Sequence, residues 1–285
     1  MRYKLLSAAV ALLLVPAVVS SNVSAKGASG PVDTGRVLIY GPSLGTGASV
    51  NEKSIARSLG YTVFIADSIA WQSLTRSDFE RYDAIIIGDR SCDESSEYLN
   101  LAAATRSRWT PAVRGNVTVI GTDPVYHAAN EGIVGARRLI ANGLRFAVAA
   151  EHTGAYISLG CAYSSTRAFT SVPVLAEFGP FTVRGQGTAP LPRCPEKAEI
   201  VRPASPVIDS LTARDLSNWG CSIHEGIDAY PYPFVVVARH GRSDLPYILT
   251  RGPSSTRRSD QVTVFHESGV PDASPSASHS KANLP

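Results

Sequence analysis

The sequence has no C-x-x-C pair and no Cys or His spacing of the kind that holds zinc, although it carries four Cys and six His. A structural zinc site is therefore not expected. It also lacks an excess of charge of either sign. Against 27 basic side chains stand 24 acidic ones, and loss of Arg2 and Lys4 with an N-terminal leader would leave a net of +1. Nucleic-acid binding by phosphate neutralisation needs clustered Lys and Arg, so that partner class is not expected. Beyond residue 19 no apolar run approaches the roughly 20 residues that cross a bilayer, and no membrane segment is expected once the leader is removed. No internal repeat is visible.

What is present begins with a leader pattern. Arg2 and Lys4 precede the apolar run 5–19, and the small residues of Val23-Ser24-Ala25 follow. That order is the order of a signal peptide, assigned to 1–25, with cleavage after Ala25 and a secreted product. No Cys stands near the cleavage point, which disfavours a lipid anchor. Cys92, Cys161, Cys194 and Cys221 all fall in the mature chain. An even count in an exported protein points to two disulfides, for which three connectivities exist.

From residue 35 a rhythm sets in. The runs 36–40, 62–66, 84–87, 117–120 and 155–159 are short, apolar and rich in β-branched residues, without the alternation of a half-exposed strand. They read as strands covered on both faces. Helix-length segments separate them, at 48–59, at 76–82 behind a Thr75 cap, at 95–108 and at 131–141. Strands alternating with helices imply an α/β, flavodoxin-like, doubly wound parallel sheet. After Gly160 the chain becomes loop-rich, with a helix-like stretch at 211–219 and β-like runs at 234–238, 247–250 and 262–265. These are expected to extend the same sheet or to form an antiparallel addition at its edge. The domain is set at 35–266 and a disordered tail at 267–285, which is rich in Ser, Pro and Ala. On this reading Cys92 and Cys161 follow the third and fifth strands and meet over the end of the fourth. Cys194 is left to pair with Cys221 around a local loop.

Ligands of open α/β sheets bind beyond the carboxyl ends of the strands. That rule selects Ser43, Asp67, Asp89, Arg90, Thr122, Asp123, His127, Cys161 and Tyr163, each of which follows an expected strand. Gly41-Pro-Ser-Leu-Gly45 matches a nucleophile elbow in letters, but it leads into a Gly-rich turn and reads better as a strand-to-helix turn. A P-loop would need a Lys that is missing there. His224-Glu225 is the most concentrated polar pair late in the chain. A base beside a carboxylate suits acid–base work, although neighbours on an extended chain point opposite ways and only one of them need face a site. Asn116-Val-Thr118 is a glycosylation sequon at a strand start.

The strand 117–120 followed by Gly121-Thr-Asp-Pro-Val-Tyr-His127 resembles the strand and elbow of class I glutamine amidotransferase-like domains, with Asp123 where their nucleophilic Cys stands. The stretch Arg202-Pro-Ala-Ser-Pro-Val-Ile-Asp-Ser-Leu211, leading to His224-Glu225, resembles a segment of ThuA-like (trehalose-utilisation-like) proteins, with Arg202 in place of a His. The resemblance implies a flavodoxin-like domain that has lost the elbow thiol, and hence glutaminase activity. It leaves two expectations. In the first, a secreted, noncatalytic domain binds a polar small molecule or glycan through Ser43, Asp89, Asp123, His127, His224 and Glu225, with no metal or cofactor. In the second, an extracellular hydrolase acts on a carbohydrate or amide with Asp123 or Glu225 as general base. A relocated triad of Cys161, His224 and Glu225 is the minor variant, set against disulfide pairing of Cys161.

Overall fold

The computed structural model describes residues 35–45, 47–90, 92 and 95–252. The signal peptide, the run 262–265 and the tail 267–285 lie outside them. The five early runs all form strands: β1 Arg36–Tyr40, β2 Thr62–Ala66, β3 Ala84–Ile87, β4 Val117–Ile120 and β5 Gly154–Ser158. They pair in parallel in the order β2-β1-β3-β5-β4. Successive side chains of a strand point to opposite faces, and both faces here are apolar. Val37, Ile39, Ala84, Ile86 and Tyr156 enter one core cluster, and Leu38, Tyr40, Ile85, Ile87 and Ile157 enter the other. Each such Ile contributes about 1.5–3 kcal/mol by leaving water. β2 departs from the expectation of two covered faces. It is the edge strand, and Phe64 and Ile65 are exposed.

Helices seal the two clusters. α1 Glu52–Ser58 starts at an Asn51–Ser54 capping box, and α2 Ser68–Ser73 and α3 Arg76–Phe79 start at Asp67 and Thr75 caps. The segment 95–108 is broken into a 3-10 turn, α4 Asn100–Ala104 and α5 Arg106–Trp109. α6 Pro124–Asn130 follows β4, and α7 Val134–Val148 runs seven residues past the expected end at 141. Asn142 and Gly143 look like breakers but serve packing. Asn142 Nδ2 donates to Asp209 O, and Gly143 lets the helix lie against the Tyr156 ring, where a Cβ would come within 2.8 Å.

The C-terminal half adds antiparallel strands, as expected. β8 Ala198–Ile200, β10 Val235–His240 and β11 Pro246–Arg251 extend the sheet in the order β4-β11-β10-β8, which makes eight strands among the described residues. The molecule is thus mixed α/β around a large, mostly parallel sheet. A second sheet of β6 Thr170–Ser171, β7 Thr182–Gly185 and β9 Glu225–Ala229 was not legible in the pattern. The stretch 211–219 is not a helix. Thr212 and Asp215 close a turn there, with the Asp215 carboxylate accepting from the Thr212 N–H and hydroxyl.

Candidate functional site

The carboxyl ends of β1, β3, β5 and β4 lie side by side, and each delivers a polar group. Ser43 ends the turn after β1. Its hydroxyl donates to Tyr40 O at 2.7 Å and accepts from Gly88 N at 2.7 Å, so it braces β1 against β3. Both directions of the hydroxyl are engaged, as suits a strand-to-helix turn and not a nucleophile. Asp89, after β3, accepts from Val125 N at 3.1 Å and from Cys92 N at 3.4 Å, tying that strand to α6 and to the Cys92 loop.

Asp123 stands where a helix cap would stand, but its side chain caps nothing. It is 1% exposed, so this carboxylate at the sheet edge is buried and does not face solvent. Oδ1 sits 2.9 Å from His224 Nε2 and 3.1 Å from His127 Nε2. Neither approach is an aligned hydrogen bond, so Oδ1 lies between two imidazoles in close contact with both. Burial favours the neutral acid, but the two His contacts and charges prevail and lower the Asp123 pKa. His127 also contacts Glu131 through Nδ1 at 2.7 Å and Cys221 O through Nε2 at 3.1 Å. Burial alone would lower its pKa, yet Asp123 and then Glu131 raise it to about 9. His127 is therefore cationic at neutral pH.

His224 and Glu225 both reach this edge, although neighbours on an extended chain need not both face a site. Their N–H groups both donate to Gly121 O at 3.1 Å, which draws the chain down onto the end of β4. Gly121 permits that approach, since a Cβ there would lie 2.7 Å from Glu225 O. Glu225 is fully buried. Its Oε1 accepts from Tyr163 N at 3.0 Å, and its Oε2 has no hydrogen-bond partner among the described residues. Burial, then the charges of Asp123 and Asp89, raise its pKa well above the carboxylate range despite the Tyr163 bond.

Glu52 completes the group and was missed. It opens α1, and its Oε1 accepts from Asp89 N at 2.9 Å while burial raises its pKa to about 7. The signal for it was available, because the first turn of a helix that follows a strand also faces the carboxyl edge of the sheet.

Cys161 follows β5 through Gly160, whose φ of +60° suits glycine. Cys161 is bonded to Cys92, with Cα atoms 4.7 Å apart, and Cys194 is bonded to Cys221. The pairing matches expectation, but its route does not. β5 lies directly beside β3, so the two Cys meet across neighbouring strands and not over the end of β4. Cys161 Sγ is 3.2 Å from His224 Nδ1 and 3.4 Å from Asp123 Oδ2. The buried carboxylate beside His224 is thus Asp123, not the Glu225 of the minor triad variant. Donor atoms of Cys92, Asp123, Cys161 and His224 fall within 4.8 Å of one another. With the sulfurs joined, only Asp123 and His224 keep the charge and lone pairs a cation requires, so this set is not a metal site in the oxidised protein.

Elsewhere, Asn116 of the sequon is buried and its Nδ2 donates to Phe146 O at 2.8 Å, a poor acceptor for a glycan. Two cavities, of about 720 Å³ beside Asn142, Arg145 and Pro203 and about 260 Å³ beside Lys197 and His240, lie away from the cluster. No described helix is long and apolar enough to cross a membrane. Compared with family models, with curated proteins and with solved structures, the chain matches none of them.

Proposed function

We propose that this chain is an exported, amidotransferase-like, doubly wound domain that binds a polar small molecule or sugar at the carboxyl edge of its sheet and does no thiol chemistry on it while Cys161 is oxidised. The observation that carries the reading is the convergence of Asp123, His127, His224 and Glu225 at that edge, with Asp123 Oδ1 shared between the two imidazoles and with Glu225 Oε2 and Glu52 Oε2 lacking hydrogen-bond partners among the described residues. Buried polar atoms without partners are rare in folded proteins, and a hydroxyl- or amide-bearing ligand would satisfy them. Two disulfides support an oxidising compartment. A thermal-shift screen of sugars and polar metabolites tests the binding, with Asp123→Asn as control. A ligand that stabilises the native chain and the variant equally rejects the site.

One observation favours hydrolysis as a second reading. The pKa of Asp123 is lowered and that of Glu225 raised, the separation by which two carboxyl groups divide acid and base roles. It also revises the roles: Glu225, whose pKa burial raises, would serve as the acid, leaving Asp123, whose pKa is lowered, as the base. Glycosidase and amidase assays on hits from the screen decide between the readings, and turnover lost in Glu225→Gln with binding kept selects this one.

A further inference from the structure

The two disulfides sit in different chemistry. Cys194–Cys221 is the more accessible bond, since Cys194 is exposed, but it has only the uncharged Gln186 side chain against it, with Oε1 at 3.3 Å from Cys221 Sγ. Cys92–Cys161 instead has an imidazole 3.2 Å from one of its sulfurs, and that imidazole is backed by a carboxylate at 2.9 Å. Its halves also differ in exposure: Cys161 is 1% exposed, whereas Cys92 is partly exposed. An incoming thiolate therefore reaches Cys92, and the sulfur that must depart is the one beside His224.

We propose that Cys92–Cys161 is a redox-active disulfide that exchanges with a low-molecular-weight dithiol, with Cys92 as the sulfur attacked and Cys161 as the leaving group. In the first step a donor thiolate bonds to Cys92 Sγ, the Cys92–Cys161 bond breaks, and its electron pair goes to Cys161 as thiolate beside His224. In the second step the donor's other thiolate attacks its own sulfur in the mixed disulfide and releases Cys92. The donor leaves as a disulfide, oxidised by two electrons, and the protein holds two reduced Cys with the protons the donor gave up. His224 touches the departing sulfur and is the catalytic residue. A leaving thiol that is stabilised as thiolate departs faster.

The charges around that sulfur permit this. Asp123 faces it from the end of β4, but His127 and Glu131 lie beyond, with His127 cationic against Asp123. Asp89 contacts the Cys92 N–H from the end of β3, and Arg90 lies over the Tyr98 ring. Burial raises the pKa of both Glu225 and Glu52, that of Glu52 to about 7, which weakens the opposing charge they bring to that sulfur. The proposal stands apart from the ligand-binding reading, and a failed ligand screen leaves it intact.

The full oxidised chain is treated with graded dithiothreitol in the presence of a chelator, blocked with one alkylating reagent, then reduced completely, labelled with a second and mapped by peptide mass. Cys92 and Cys161 are expected to open at least about tenfold faster than Cys194 and Cys221, and a monothiol such as 2-mercaptoethanol to leave its adduct on Cys92. His224→Asn is expected to slow the first bond about tenfold and leave the second unchanged, the second bond reporting that the variant is folded. Equal rates would mean that both bonds open only when the chain unfolds, and would overturn the proposal. So would first opening of Cys194–Cys221, an adduct on Cys161, or no effect of His224→Asn in a folded variant. Should the variant not fold, the order of opening and the adduct position in the native chain decide alone.

Discussion

Glu52 and Glu225 are carboxyl groups taken wholly out of water, and each spends one oxygen on a backbone N–H and leaves the other without a partner among the described residues. A raised carboxyl pKa means that the folded state binds the proton more tightly than the unfolded one, so stability falls as pH rises from the unfolded value toward the folded one. For Glu52 that window runs from 4.5 to about 7 and amounts to about 3 kcal/mol. Glu52→Gln should therefore stabilise the protein at pH 7.5 and leave it nearly unchanged at pH 4.5, as read from urea midpoints. His127 has the same sign at higher pH: its contribution is whole below 6.5 and is lost as pH rises through about 9. Glu131→Gln should shrink that alkaline loss. At Glu225 the comparison is between substitutions. Glu225→Gln keeps an acceptor for Tyr163 N and should cost less than about 1 kcal/mol, whereas Glu225→Ala leaves that N–H unsatisfied and opens a cavity, costing about 2–4 kcal/mol. Equal losses in urea titrations would show that the Tyr163 contact contributes nothing to stability.

At the scale of elements, α7 and β5 bear on each other through Gly143 and Tyr156. In an exposed helix, Gly→Ala gains about 1 kcal/mol. Here the new Cβ would meet two ring atoms of a fully buried Tyr at 2.8 Å, and overpacking costs about 1–3 kcal/mol. Gly143→Ala should therefore lower the Tm, and a rise would show that the ring yields. The start of α1 offers a simpler case. Asn51 accepts from Ser54 N while Ser54 Oγ accepts from Asn51 N, and Asn51→Ala should cost about 0.5–2 kcal/mol in the same assay. Strand existence was legible because both faces of β1, β3, β4 and β5 are apolar, and so was the cap at Thr75. The extent of α7 was not, because Asn142 and Gly143 are chosen for what they touch. The false helix at 211–219 failed for the opposite reason: its apolar residues Leu211, Leu216 and Trp219 are buried through a turn without helical hydrogen bonding.

For the molecule as a whole, the disulfides close spans of 69 and 27 residues. In the chain-entropy model, removing Cys92–Cys161 costs about 4.4 kcal/mol and removing Cys194–Cys221 about 3.6 kcal/mol. Cys92→Ser with Cys161→Ser should therefore destabilise at least as much as the corresponding double replacement of Cys194 and Cys221, as measured by denaturant unfolding. A smaller loss would mean that the bond is held in a strained native setting. Local composition alone determined that parallel strands would alternate with helices, because continuous apolar runs bounded by Gly and Asp can be buried in few other ways. The same alternation placed Asp89, Asp123 and Cys161 at strand ends, and an even Cys count in a chain with a leader pattern pointed to two bonds. Tertiary structure decided the rest. Inserting β5 between β3 and β4 brings Cys161 beside Cys92, and the two N–H groups of His224 and Glu225 fold onto Gly121 O only once β9 is in place. Which carboxyl group has its pKa raised and which has it lowered follows from burial and from the distance to an imidazole, and residues far apart in the chain acquire those quantities only when the sheet closes around them.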